Sequence, residues 1–184
     1  MKSTILIIFL ACFATLKTFA KPPEFYKVSL ESQNIENPLG YTILADQVFK
    51  LKGLGNDDKA LYFARPTETS DSNKNLPKIF ISTENKVLSS MNLPDVETGW
   101  TLIEVRALAI DSKATTEKSA RILAILNFEP PAGPKDAWDR SYVFDISADG
   151  KVSVDSKLNK KLDENVNSKK PIKTMKELKK LIDN

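Results

Sequence analysis

The chain has 184 residues, with 27 basic and 24 acidic residues, no histidine and one cysteine. Without histidine, and with its cysteine at position 12, the chain lacks the groups for Ser-His-Asp or Cys-His nucleophilic catalysis and the usual ligands of zinc and haem. It also lacks a P-loop, a dinucleotide-binding fingerprint and a Gly-x-Ser-x-Gly motif. We therefore expect no cofactor, no metal site and no catalytic residues of these classes, while a Ser-Lys dyad or a carboxylate pair stays possible.

Residues 1–20 have the three parts of a secretory signal peptide. Lys2 supplies a positive charge, residues 4–16 form an apolar stretch, and Thr18 and Ala20 place small residues at the −3 and −1 positions of a cleavage site. The apolar stretch is shorter than the roughly 20 residues that a membrane-spanning helix needs. The sequence thus predicts cleavage near Ala20, no transmembrane span, and a secreted or periplasmic protein.

Cys12 allows a second interpretation, in which a lipid on this cysteine anchors the protein. Residues 9–11 match only part of the lipobox, the motif that precedes a lipidated cysteine. Residues 13–16 are apolar, whereas a lipoprotein is expected to have a polar linker after the cysteine. We favour cleavage near Ala20 over lipidation. The remaining chain then has no cysteine and no disulfide, so its stability must come from packing.

The body of the chain, residues 21–156, has the pattern of a β-rich globular domain. Short apolar runs alternate with turn-forming clusters. The first runs lie at residues 26–30, 41–51, 60–64, 78–82 and 86–88. The polar stretches at 53–58 and 67–75 are typical of loops.

The strongest core signal is the pair of apolar segments at 100–110 and 120–128. Almost every position is apolar, as expected of strands buried on both faces. A buried helix over 116–127 is the alternative, because periodicity does not separate the two in a short run. We favour a strand, since alternate residues from Ile122 to Phe128 form one face and two prolines follow.

Residues 141–154 have the pattern of a β-hairpin around the turn dipeptide Asp149-Gly150. Residues 145–150 also imitate the first half of an EF-hand calcium loop, but the twelfth position is Ser156 instead of glutamate, so we favour the plain hairpin. These elements predict a mostly β fold, a single β-sandwich or partly open barrel with a short C-terminal amphipathic α-helix.

The C-terminal residues 157–184 form a basic tail, with nine lysines and four acidic residues. Residues 156–173 are polar and predict a linker. Thr174 and Glu177 then form a capping box, and four apolar residues, Met175, Leu178, Leu181 and Ile182, fall on one helical face. A helix this short must dock on another surface to be stable.

The basic tail contains no arginine and no aromatic residue, which makes it a poor reader of nucleic acid, and we expect no nucleic-acid partner. We favour a solvated tail whose helix packs on the body or on a partner. Weak peripheral contact with an anionic membrane surface is the alternative.

The segment 129–140 is the best candidate for a functional surface. Its prolines stiffen it, and Trp138, Asp139 and Arg140 have the composition of a binding hot spot. In the alternative, Trp138 folds back and closes the end of the sandwich, with Asp139 and Arg140 exposed beside it.

We therefore predict an exported, non-catalytic domain that binds a protein, a glycan or another envelope component. A carboxylate-dependent hydrolase that uses Glu129, Asp136 and Asp139 is one alternative. An inhibitor or accessory subunit of an exported enzyme, with the Trp138 loop as its inserted element, is another.

Overall fold

The structure is a computed structural model. It describes residues 23–33, 35, 37–67, 76–84, 86–131, 133, 138–167 and 172–183. Within these ranges the elements are β1 (Glu24–Val28), a 3-10 turn (Glu31–Gln33), β2 (Tyr41–Lys52), β3 (Lys59–Pro66), β4 (Lys78–Thr83), β5 (Lys86–Asn92), β6 (Thr101–Ile110), β7 (Ser119–Glu129), β8 (Trp138–Ser147), β9 (Val152–Val154), α1 (Ser156–Asn167) and α2 (Met175–Asp183). The predicted signal peptide, Cys12, most of the 67–75 stretch and Asp136 lie outside the described residues.

Two antiparallel sheets form the body of the protein. Sheet A contains β1 to β5 and sheet B contains β6 to β9, and within each sheet every strand pairs with the next one in the chain. The sheets pack face to face and do not close into a barrel. The predicted mostly β fold is confirmed in its sandwich form.

Strand β7 is the centre of sheet B and confirms the prediction of a strand over a helix in this segment. Alternate residues from Ala120 to Phe128 face the core between the sheets. Leu123 and Ile125 face the other side of the sheet, where the two helices cover them. Burial on both faces explains why almost every position of this strand is apolar.

Two side chains of sheet A bind backbone groups of sheet B and so join the two sheets. Ser89 Oγ of β5 donates to the carbonyl of Gly150 (2.7 Å) and accepts the N–H of Val152 (3.1 Å). Between β2 and β6, Gln47 Oε1 accepts the N–H of Val105 (2.6 Å). These bonds satisfy edge groups that would otherwise be open to pairing with another chain.

The predicted linker is wrong for residues 156–167, which form α1. Asp155 caps this helix, because its Oδ1 accepts the N–H of Leu158 (3.0 Å). Leu158 and Leu162 pack on the outer face of sheet B. The polar composition predicts a linker, but packing supplies most of a helix's stability in a protein, and the two leucines, one turn apart, provide it here.

Helix α2 confirms the predicted C-terminal helix and its capping box. Thr174 Oγ1 accepts the N–H of Glu177 (3.2 Å), and the Glu177 carboxylate accepts the N–H of Thr174 (3.1 Å). Leu178 is fully buried against the outer face of sheet B, so the helix docks on the body. None of the helices in the described ranges is long and apolar enough to span a bilayer.

Candidate functional site

Trp138 stands at the start of β8 and packs against the core between the sheets. Its ring meets the ring of Trp100 edge to face, with the centroids 5.3 Å apart. The indole Nε1 is buried and finds no hydrogen-bond partner in the described part of the chain. The ring therefore helps to close one end of the sandwich, as in the second interpretation of the sequence.

Arg140 lies on the same face of β8, two residues further on, and is only 9% exposed. Its guanidinium donates to Asp163 Oδ1 of α1 (2.8 Å) and to the carbonyl of Asp95. It also lies over the rings of Trp138 and Tyr142, 5.6 and 5.8 Å from their centroids. The expectation of an exposed Arg140 beside a packed Trp138 is wrong, because this side chain ties α1 to the end of the sandwich.

Asp139 points to the opposite face of β8, and two neighbouring side chains bind its carboxylate. Oδ1 accepts from Asn127 Nδ2 (2.8 Å), and Arg106 lies 3.1 Å from each oxygen. Two donors hold the group in place and leave it little freedom to act on a substrate. Trp138, Asp139 and Arg140 thus belong to one strand but not to one open surface.

Tyr142 extends this cluster into the core. It stacks on Phe144 with centroids 5.5 Å apart, and its hydroxyl donates to the carbonyl of Pro94 (3.2 Å). Burial raises the pKa of Tyr142 well above its ordinary value of 10.0. The phenol therefore stays protonated and neutral across the physiological range.

A cavity of about 530 Å³ opens at one end of the outer face of sheet A, and we call it the polar pocket. The 3-10 turn, the end of β2, the β2–β3 loop, the start of β3 and the β4–β5 turn enclose it. Its lining residues are Gln33, Lys50, Asn56, Asp57, Asp58, Lys59, Ala60, Thr83 and Glu84.

Lys59 holds the β2–β3 loop that forms one wall of the polar pocket. It is only 3% exposed, and its Nζ donates to the carbonyls of Leu54 (2.6 Å) and Asp57 (3.0 Å). Burial lowers the pKa of Lys59, although Asp57, Asp149 and Asp58 oppose that shift. The buried ammonium fixes the backbone of residues 54–57 and so fixes the positions of the side chains on this loop.

Gly55 brings the same loop against the β8–β9 turn. Its φ is +74°, and a Cβ at this position would lie 2.7 Å from the carbonyl oxygen of Ala148. Only glycine combines this backbone conformation with so close an approach. The pocket wall is therefore anchored on sheet B as well as on sheet A.

The charged groups of the polar pocket are of both signs. Lys50 Nζ and Asp58 Oδ2 form an ion pair at 3.2 Å. Asn56, Asp57 and Glu84 are exposed to solvent. The lining offers hydrogen-bond donors and acceptors side by side, and none of its residues is aromatic.

The polar pocket leaves no single pattern in the sequence, because its residues come from four separate segments of the chain. The one local signal was the run of Gly, Asn and Asp at 53–58, which predicts a loop but no ligand. A second, more open cleft of about 540 Å³ lies between residues 27–31 and 45–46 and offers fewer polar side chains.

The predicted hairpin over 141–154 is present as β8, the 147–150 turn and β9. Asp145, the first residue of the imitated calcium loop, instead binds the Arg121 guanidinium through both oxygens (2.9 and 3.0 Å). Ser147 and the backbone N–H of Lys151 lower the pKa of Asp149 by hydrogen bonding. Across the described ranges, no three acidic, histidine or cysteine side chains converge to hold a metal ion.

Comparisons with protein-family models, with curated proteins and with solved structures give no match to this chain.

Proposed function

We propose that the protein is an exported, non-catalytic domain that binds a glycan of the cell envelope in the polar pocket. The observation that carries this proposal is the lining of the pocket, which mixes exposed donors and acceptors in a cavity of about 530 Å³. Sugar hydroxyls both donate and accept hydrogen bonds. Amide, carboxylate and ammonium groups set close together satisfy both demands.

The positions of the charged side chains support binding over catalysis. Lys50 and Asp58 neutralise one another, and the Lys59 ammonium is committed to two backbone carbonyls. These contacts keep the wall rigid, which lowers the entropic cost of binding a ligand.

The hydrolase alternative depends on Glu129, Asp136 and Asp139. Asp139 is occupied by Arg106 and Asn127, and Asp136 lies outside the described residues. This contact pattern favours a binding role over a pair of carboxylates flanking a sugar bond.

An oligosaccharide array tests the proposal. We expect the protein to retain a subset of neutral or amino sugars, and Glu84→Gln to weaken retention about tenfold, because a hydrogen bond to a charged group contributes about 1.5 kcal/mol or more. Glu117→Gln is the matched control, since Glu117 is an exposed glutamate on the β6–β7 loop. Equal retention by both variants would exclude the polar pocket, and release of free sugar would favour the hydrolase.

A further inference from the structure

The two C-terminal helices present a lysine-rich surface to solvent. Among the described residues of 156–183, six lysines are exposed, against three exposed acidic residues. These lysines, which we call the lysine surface, are Lys157, Lys160, Lys173, Lys176, Lys179 and Lys180. The five on α1 and α2 face away from sheet B, because the apolar side chains of both helices face the sheet, and Lys173 lies just before α2.

Three of the four acidic residues described in this region are engaged in contacts. Asp163 binds Arg140 (2.8 Å), and Asp183 binds Lys113 of the β6–β7 loop (2.6 Å). The backbone N–H groups of Lys173 and Thr174 bind Glu177 and lower its pKa, so it serves as the cap of α2. The six exposed lysines outnumber the three exposed acidic residues, so the outer side of the helices carries a net positive charge.

We propose that the lysine surface docks the protein on an anionic lipid bilayer. Lysine ammonium groups are compact point charges on flexible stems, and they lack the planar fork with which arginine binds one phosphate or carboxylate. Several such charges spread over two helices match a lipid headgroup layer, whose negative charge is distributed over many headgroups. The lysine surface shares no residue with the polar pocket.

The mode of docking follows from the packing of the helices. An amphipathic helix at a membrane usually buries its apolar face among the acyl chains. Here Leu162 and Leu178 are already buried against Leu123, Ile125 and Val143 of sheet B. The contact is therefore electrostatic, peripheral and reversible, and salt weakens it.

Docking through the lysine surface would also orient the polar pocket. The helices cover the outer face of sheet B, whereas the pocket opens at the outer face of sheet A. The two surfaces lie on opposite sides of the sandwich. A bilayer bound to the helices would leave the pocket open to the aqueous side, where envelope glycans are accessible.

Co-sedimentation with vesicles tests this inference, using the chain from Lys21 onward, which contains every described element. We expect binding to phosphatidylcholine vesicles that contain phosphatidylglycerol, no binding to phosphatidylcholine alone, and release between about 50 and about 500 mM salt. Each lysine at an anionic surface contributes about fivefold to partitioning. The triple variant Lys160→Gln, Lys176→Gln, Lys179→Gln should therefore bind about a hundredfold more weakly.

The matched control removes the same charge from sheet A, with Lys27→Gln, Lys52→Gln and Lys86→Gln, all exposed. It should reduce partitioning far less than the helix variant. Equal losses in the two triple variants, or no binding to the anionic vesicles, would overturn the proposal. Retention on heparin beads at a salt concentration that already releases the protein from vesicles would assign the surface to a polyanionic polymer instead.

Discussion

The side chain of Asn159 pairs with the backbone of Val143 in the way that a neighbouring strand would. Asn159 Oδ1 accepts the N–H of Val143 (3.1 Å), and Nδ2 donates to the carbonyl of the same residue (2.9 Å). Strand β9 pairs with β8 from Phe144 to Ile146, and just before that point the carbonyl of Val143 also accepts the backbone N–H of Asp155 (3.3 Å). Helix α1 covers this edge of β8 through the side-chain amide of Asn159.

We predict that Asn159→Ala lowers the free energy of unfolding by about 2 kcal/mol, because it leaves the buried N–H of Val143 unpaired and removes one of the two bonds to the carbonyl of Val143. Thermal unfolding should report this as a fall in Tm of about 4 to 8 °C. Asn92→Ala, on the exposed part of β5, is the control and should change Tm little. An equal Tm for the two variants would contradict the edge-covering role of Asn159.

The ion pair between Arg140 and Asp163 should contribute more to stability than the one between Lys113 and Asp183. Both join a helix to sheet B or its loops, but Arg140 is nearly buried, and without Asp163 it would lose one of its two acidic partners and keep Asp95. We expect Asp163→Ala to cost about 2 kcal/mol in urea unfolding. Asp183→Ala, in an exposed pair, should have no measurable effect. The reverse ranking would show that α1 does not depend on this anchor.

The raised pKa of Tyr142 predicts a loss of stability at alkaline pH. The unfolded chain ionises this phenol near pH 10, whereas the folded chain keeps it protonated. Above about pH 10 the unfolded state binds fewer protons, so the free energy of unfolding falls as pH rises. The raised pKa of Tyr62 acts in the same direction, and the lowered pKa of Lys59 acts against it.

Urea unfolding from pH 7 to about pH 11 measures this slope. Tyr142→Phe should cost about 1 kcal/mol at pH 7, through the lost bond to Pro94, and should flatten the alkaline decline. Tyr26→Phe, at an exposed tyrosine, should leave the decline unchanged. A Tyr142→Phe profile as steep as that of the unchanged chain would mean that this phenol ionises while the protein is folded.

The close approach of Gly55 to Ala148 predicts a strong penalty for a side chain there. We expect Gly55→Ala to cost about 2 to 4 kcal/mol, from the strained backbone and the contact with the Ala148 carbonyl together. Gly40→Ala, at φ +77° and with no atom within 4 Å of the added methyl group, should cost only about 1 kcal/mol. Equal penalties in chemical denaturation would mean that the loop does not rest on the β8–β9 turn.

Because Trp138 packs against the core, we predict that its removal lowers stability and leaves partner binding unchanged. Trp138→Ala should lower the free energy of unfolding by about 3 kcal/mol, since it removes a large ring from the end of the core. Capture of partners from envelope extract, at a temperature where the variant is folded, should be the same as for the unchanged chain. A variant that keeps its stability but loses a specific partner would restore the binding interpretation of this residue.

The strands and the terminal helix could be predicted because their signals are local. Asp149-Gly150 marks its hairpin, the apolar run from Ala120 marks the central strand, and Thr174 with Glu177 marks the start of α2. The lysines and asparagines of α1 give it the composition of a linker, so the helix was not predicted. Asp155, three residues before Leu158, is the capping signal in the sequence that indicates its start. Because α1 was not predicted, its contacts with sheet B through Asn159 and Asp163 were not predicted either.

The candidate site was harder to predict because it depends on tertiary contacts. Trp138 and Arg140 have the composition of a hot spot, but their exposure depends on Trp100, Asp95 and Asp163, which are distant in the chain. The polar pocket joins the loop at 53–58 to Gln33 and Glu84 only after sheet A has formed. Composition identifies residues able to bind, whereas packing decides which of them are accessible.

The most direct test of the polar pocket is an amide NMR titration of the chain with the oligosaccharide best retained on the array. The account predicts shift changes concentrated at residues 33, 50, 56–60 and 83–84, with none at Trp138 or along α1 and α2. Changes centred on Trp100 and Trp138, or an array that retains no oligosaccharide, would contradict the glycan-binding function proposed for the pocket.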